Sequence, residues 1–160
     1  MFVLGIDPGL STTGYGLVEG SHPPQAHRAG VIRTDTELPV ERRLAELHDG
    51  IAQVIDDCSP DVVALETVFT NRNLQTAISV GRASGVALLA AAQAGVDVYE
   101  YVPTAIKAAV TGDGSANKDQ VQQMVARLLR LDTAPQPADA SDALAIALCH
   151  LRAAPLKVAR

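Results

Sequence analysis

The chain has 160 residues, of which 48% are apolar and 19% are charged, which suits a single domain with one buried core and excludes a disordered chain. Its formal net charge of −5 argues at first against a nucleic-acid partner, but residues 71–160 hold nine Lys or Arg against seven Asp or Glu. An acidic total is also compatible with a site built from carboxylates whose charge is offset by metal ions.

Short apolar runs bounded by turn residues predict five strands. The first, FVLGID at 2–7, stops at a Pro-Gly turn, and two more at 13–20 and 28–34 complete an antiparallel meander. The fourth, DVVALE at 61–66, ends in an acid as the first does, and VDVYEYV at 96–102 is the fifth.

Helical periodicity predicts the elements between and after these strands. Residues 40–56 and 117–131 carry apolar residues at helical spacing, and 138–153 forms the last helix. A short helix is expected at 104–110. The helix at 74–94 is rich in small residues, which favours either tight packing on its own sheet or a subunit interface. This mixed order implies an α/β layered domain around a five-stranded sheet.

Four acidic residues lie at the boundaries of predicted elements. Asp7 ends the first strand, Glu66 ends the fourth, and Asp139 and Asp142 open the last helix at a spacing that places them on one face. Each has an ordinary explanation, since an acid before Pro-Gly opens turns and acids favour a helix N-terminus. The set of four is more specific, because carboxylates gathered in one pocket require cations such as Mg²⁺ or Mn²⁺.

The segment GIDPGLSTTGYG contains four glycines, at positions 5, 9, 14 and 16. It fits neither the dinucleotide-binding nor the P-loop pattern. We interpret the glycines as letting the backbone turn sharply after Asp7 and as keeping bulk away from an approaching phosphate. The segment is similar to the first phosphate loop of the sugar-kinase, actin and chaperone ATPase superfamily, so a small ATP-binding protein is one alternative. Those proteins, however, close two large domains on ATP.

Four motifs in order resemble the RuvC family of bacterial Holliday-junction resolvases, nucleases of the ribonuclease H-like fold. They are GIDPGLSTTGYG, ALETVF, GDGSANKDQVQQMV and ADASDALAIA, and the resemblance covers nearly the whole chain. It implies an α/β fold whose five-stranded mixed sheet has three antiparallel strands followed by two parallel ones, flanked by helices. A single nuclease domain would cover 1–152, followed by a short basic C-terminal end at 153–160.

The resemblance also implies an activity and a set of site residues. The activity is paired, symmetric nicking of four-way DNA junctions by a metal-dependent endonuclease. Two Mg²⁺ ions, or Mn²⁺, would be held by the catalytic and metal-binding set Asp7, Glu66, Asp139 and Asp142. A junction-binding module that has lost catalysis is the other alternative, and the intact set of acids argues against it.

Candidate DNA contacts follow from the same resemblance. Lys107 and Lys118 match basic residues beside the active site, and Phe69 matches an aromatic implicated in stacking at the junction. Phe69 lies in a polar loop where it either stacks on an unpaired base or anchors the loop to the sheet. Arg72 and Arg82 are further candidates, although scattered arginines are usually solvated surface.

The expected partners are branched DNA, a second copy of the chain through the helix at 74–94, and the branch-migration proteins RuvA and RuvB. Cys58 and Cys149 are far apart and outside any C-x-x-C pattern, which suits reduced thiols in the cytoplasm. No signal peptide is recognised, and the longest apolar stretch is too short and too rich in Ala and Gly to span a bilayer, so no membrane role is expected.

Overall fold

The computed structural model describes residues 1–67 and 73–153. The strands are β1 (Phe2–Asp7), β2 (Thr12–Glu19), β3 (Gln25–Arg33), β4 (Val62–Glu66) and β5 (Asp97–Tyr101). The helices are α1 (Val40–Cys58), α2 (Leu74–Gln93), α3 (Pro103–Thr111), α4 (Lys118–Leu128) and α5 (Ala138–Ala153). The domain boundary at residue 152 stays a prediction, and all but the first residue of the basic end lies outside the described residues.

The five strands form one mixed sheet in the order β3-β2-β1-β4-β5. The pairs β1–β2 and β2–β3 are antiparallel, whereas β1–β4 and β4–β5 are parallel, which confirms the expected fold class. In the β1–β4 register Ile6 lies opposite Leu65. The next residue of each strand is therefore an acid at the same edge of the sheet, as the two strand ends predicted.

Most element boundaries shift by one or two residues from the sequence-based prediction, and three differences are informative. β3 begins at Gln25, three residues early, because Gln25 and Ala26 continue the ladder opposite Glu19 and Val18 of β2. α4 ends at Leu128 rather than at residue 131, since Arg130 adopts a positive φ of 55° that is incompatible with a continuing helix. The short segment after β5 is a complete nine-residue helix, so three helices follow that strand.

The helices cover the two faces of the sheet and create two apolar layers. α1 and α2 pack on one face, where Leu47 and Ala87 meet Leu4 and Leu65 of β1 and β4. α3, α4 and α5 pack on the other face, in a cluster that joins Val3, Ala64, Val125, Leu144 and Leu148. Each strand of the central pair is thus buried on both sides, which explains its nearly continuous apolar sequence.

Helix α2 presents small buried residues to the protein and apolar residues to the outside. Its buried positions include Ala83, Ala87 and Ala90, whereas Leu89 is 51% and Ile78 is 42% exposed. It is also the one described helix that is long and apolar enough to cross a membrane, by length and composition only, and 28% of its most apolar window is buried. The sequence-based expectation that no segment could span a bilayer was made for a shorter apolar stretch than the whole of this helix.

Helix α5 lies directly against the backbones of β1 and β2. Gly5 pairs with Gly16 across the two strands. A Cβ atom on Gly5 would lie 2.0 Å from the carbonyl oxygen of Ala143 and 2.8 Å from the amide nitrogen of Ala147. Neither backbone can move independently of its helix or strand, so only glycine permits this approach.

We predict that Gly5→Ala destabilises the protein by about 3 kcal/mol, because the new methyl group must push α5 off the sheet. The matched control is Gly16→Ala, whose Cβ would lie 2.7 Å from the Cδ2 atom and 3.0 Å from the amide nitrogen of Leu144, both farther than the 2.0 Å contact at Gly5. It should be milder than Gly5→Ala. Urea unfolding of both variants measures the difference, and equal losses would contradict the role given to the helix backbone.

Candidate active site

A cleft of about 410 Å³ opens at the edge of the sheet where β1 and β4 end. It brings together all four acids that the sequence singled out and two of the proposed basic residues. Those lining residues are Asp7, Glu66, Lys107, Lys118, Asp139 and Asp142. The loop that follows β1 forms one wall, and α3 and α4 contribute the other.

Asp7 has a strongly perturbed carboxyl group. Its pKa is raised from 3.8 to about 7, chiefly by burial and also by the charges of Glu66, Asp142 and Asp139, against a smaller opposing effect of Lys118. A carboxylate held among other carboxylates away from water is expensive to ionise. The cleft therefore stores electrostatic repulsion that a bound cation would relieve.

The approach of α5 to the sheet also positions the two acids of its first turns. Gly14 lies opposite Asp7 in the β1–β2 ladder. A Cβ atom on Gly14 would lie 2.0 Å from the carbonyl oxygen of Asp139. Because α5 begins on this spot, Asp139 and, one turn later, Asp142 reach the cleft from above the end of β1.

The glycine interpretation made from the sequence is therefore wrong for Gly5, Gly14 and Gly16. These residues leave room for α5, not for a phosphate. Gly9 does fit the sharp turn, since a Cβ there would lie 2.3 Å from the carbonyl oxygen of Thr12. A signal was present in the sequence, because glycines on one face of two paired strands match the small residues Ala143 and Ala147 on the final helix.

Lys118 is placed by the start of α4. Asn117 caps the helix by accepting a hydrogen bond from the Gln120 amide, and the Gln120 side chain accepts one from the Asn117 amide. This capping box fixes Lys118 as the first helical residue. Its Nζ lies 2.8 Å from Oδ2 of Asp142, and this hydrogen bond raises the pKa of Lys118.

The other predicted contact residues fall into three groups. Lys107, on α3, lines the cleft. Arg82 is exposed on α2, which packs on the face of the sheet opposite to α3 and α4, and it does not line the cleft. Phe69 and Arg72 lie outside the described residues.

The donor chemistry of the cleft fits a hard divalent cation. Carboxylate oxygens are the ligands that Mg²⁺ and Mn²⁺ prefer, and the repulsion that raises the pKa of Asp7 is what such a cation removes. Within residues 1–67 and 73–153, as the side chains stand, no three His, Cys, Asp or Glu residues are grouped to hold an ion. Lys118 instead provides the counter-charge to Asp142.

Comparison with known proteins identifies the family. The family model described as crossover junction endodeoxyribonuclease RuvC matches residues 3–150. This chain belongs to the RuvC family. A crossover junction endodeoxyribonuclease RuvC from Thermomicrobium roseum is 51% identical over 95% of this chain and 93% of its own length. One from Chloroflexus aggregans is 49% identical over 97% of this chain and 95% of its own.

Solved structures agree with this assignment. The structure of Thermus thermophilus RuvC in complex with a Holliday junction substrate has a TM-score of 0.89 and 39% identity, covering 95% of this chain and 93% of that one. The yeast mitochondrial Holliday junction resolvase Ydc2 shares the fold, with a TM-score of 0.65 at 13% identity. The membership expected from the four motifs is thus confirmed, as is the ribonuclease H-like fold.

We predict that Asp7→Asn stabilises the metal-free protein. The pKa of Asp7 in the folded state lies above its ordinary value of 3.8. The free energy of unfolding therefore falls as the pH rises from about 4 to about 7, and it keeps this reduced value at higher pH. At pH 8 the amide should therefore increase the free energy of unfolding by roughly 2–4 kcal/mol.

Thermal melting in EDTA at pH 8 and at pH 5 tests this expectation. The gain in Tm should be clearly larger at pH 8, and adding Mg²⁺ should raise the Tm of the unchanged protein more than that of Asp7→Asn. A gain that is equal at the two pH values would refute the electrostatic account of the cleft.

Proposed function

We propose that this chain is a structure-selective endodeoxyribonuclease that resolves four-way DNA junctions by paired symmetric nicks. The observation that carries the proposal is the meeting of Asp7, Glu66, Asp139 and Asp142 in one cleft at the ends of β1 and β4. Family membership supplies the substrate class, since the Thermus thermophilus relative was solved with a Holliday junction. The cleft supplies the chemistry.

We propose that the four acids are both the catalytic and the metal-binding residues, with two Mg²⁺ ions per cleft and Mn²⁺ as a substitute. When bound, such ions lower the pKa of water and neutralise charge on a phosphodiester during in-line displacement. Asp7 is the central ligand of the proposal because burial and the charges of the other three acids all oppose its ionisation. Asp139 and Asp142 approach it from α5, and Glu66 from the neighbouring strand.

The remaining residues of the cleft would hold the DNA strand over these acids. Lys107 and Lys118 place two positive charges on the wall formed by α3 and α4, where phosphates need neutralisation. Phe69 is proposed to stack on an unpaired base, and Arg72 and Arg82 are proposed as outer contacts to DNA. No described contact of Arg82 bears on that role.

A homodimer through α2 is part of the proposal. Ile78, Leu88 and Leu89 are exposed along one side of the helix, and Gly81 and Gly85 lie on that side with open space around them. Apolar side chains alternating with glycines allow two helices to approach closely, and a two-fold pair of subunits would present two clefts to a two-fold substrate.

The cellular setting is proposed from family membership alone. The enzyme would act in the cytoplasm, at the DNA, and would cooperate with the branch-migration proteins RuvA and RuvB. An inactive junction-binding module and a small ATP-binding protein remain outcomes of the experiment below. No feature of the cleft favours either of them.

We predict that the protein nicks a synthetic four-way junction in Mg²⁺ at two symmetric positions, and that Asp7→Asn and Glu66→Gln each reduce the cleavage rate at least about 10³-fold. Both variants keep the shape of the cleft while removing a charged oxygen. Junction binding, measured by gel shift, should stay within about threefold because the cations of the cleft are unchanged.

The same assay separates the alternatives. Binding without any cleavage by the unchanged protein would support the inactive module, and tight ATP binding without a response to branched DNA would support the ATP-binding protein. Normal cleavage by Asp7→Asn would refute the proposed role of the acids.

We predict that replacing Leu88 and Leu89 together by Lys converts the dimer into a monomer, because two charges would be buried in the apolar contact. Light scattering coupled to size-exclusion chromatography measures the mass. The matched control is Ala45→Lys on the exposed side of α1, which should leave the dimer intact. A monomeric unchanged protein would contradict the proposed interface.

A further inference from the structure

An arginine next to the loop that follows β1 is held in a fixed orientation. Arg43, on α1, donates from Nε to Oγ1 of Thr34 at 3.0 Å and from Nη2 to Oγ of Ser11 at 2.7 Å. Thr34 is buried and donates in turn to the carbonyl oxygen of Leu10 at 2.7 Å. The guanidinium group is thus attached to the loop that follows Asp7.

Arg43 does not itself line the cleft, but it is attached to the loop that forms one wall of it. Gly9 and Thr12 line the cleft, and Ser11, which accepts a hydrogen bond from Arg43, lies between them in the chain. Lys107 and Lys118 belong to helices on one face of the sheet, whereas α1 packs on the other. The loop that forms one wall of the cleft therefore holds a cation on the sheet face opposite to that of the two lysines.

The charge of Arg43 is available to a ligand. A guanidinium group carries five N–H donors, and the two hydrogen bonds above use two of them. None of the ion pairs within the described ranges 1–67 and 73–153 includes Arg43. Glu46, the acid three residues further along α1, is not paired with Arg43 and instead accepts a hydrogen bond from the Asp35 amide at 3.2 Å.

From this arrangement we propose that Arg43 binds a backbone phosphate of the DNA beside the cleft. The inference rests on the proposed function, because it names a further contact of the same substrate. Planar guanidinium groups match phosphate oxygens, and one already oriented by hydroxyl groups loses little side-chain entropy on binding. The half-buried position of the side chain limits the direction from which the phosphate can approach.

Junction affinity as a function of salt tests the proposal. Binding of a labelled four-way junction is measured by fluorescence anisotropy in EDTA, where no cleavage occurs. Arg43→Met should weaken binding about tenfold, and the slope of log affinity against log salt should fall by about 0.9, the value for one phosphate contact. Arg43→Lys keeps the charge and should retain most of that slope.

The control is Arg28→Met on β3. This change removes an arginine that is already paired with Asp57 at 3.0 Å. It should change neither affinity nor slope. If Arg43→Met does not fold, Arg43→Gln replaces it, since its amide can still donate to Ser11 or Thr34. An unchanged slope in the neutral variant would overturn the proposal and leave Arg43 as a brace of the loop.

Failure of the proposed function would look different. An unchanged protein that neither binds nor cuts the junction refutes the nuclease assignment. An unchanged protein that binds and cuts, together with a neutral Arg43 variant of equal salt dependence, refutes only the phosphate contact.

Discussion

The close contact between α5 and the backbones of β1 and β2 is the constraint on which the cleft depends. At Gly5 and Gly14 a methyl group would lie 2.0 Å from a carbonyl oxygen of the helix. If α5 stood further from the sheet, its first turn would not bring Asp139 and Asp142 over the end of β1. The glycines thus convert an ordinary helix-on-sheet layer into a site with four acids.

The same contact has an electrostatic consequence. Burial and three neighbouring carboxylates raise the pKa of Asp7 to about 7, while Lys118 neutralises Asp142 at the exposed side of the cleft. The fold keeps the carboxylates close together despite their repulsion, because the strands and α5 are fixed by apolar packing such as that of Val3 and Leu144 in one cluster. Functional sites often carry such a local penalty, which the rest of the core must offset.

Sequence reasoning located the acids because each stands at a boundary that periodicity reveals. Glu66 ends an apolar run, and the parallel pairing of β1 with β4 then requires it to lie beside Asp7. It could not give the reason for the glycines, because contact between α5 and β2 joins residues more than 120 positions apart. It also missed Arg43, whose hydroxyl partners become neighbours only when the β3–α1 connection meets the loop after β1. Phe69, by contrast, was chosen by resemblance and lies outside the described residues.

An acidic protein can bind DNA only where its cations are placed locally. The net charge of −5 would repel DNA at long range, but at physiological salt the screening length is about 8 Å, so charges beyond the cleft contribute little. What counts is the set of cations within that distance of the phosphates. Lys118 is the cation already engaged by a carboxylate, and Arg43 is held by neutral hydroxyl groups. Lys118 and Arg43 should therefore respond differently to a divalent cation: Lys118 would lose its partner to the ion, whereas the orientation of Arg43 would stay the same.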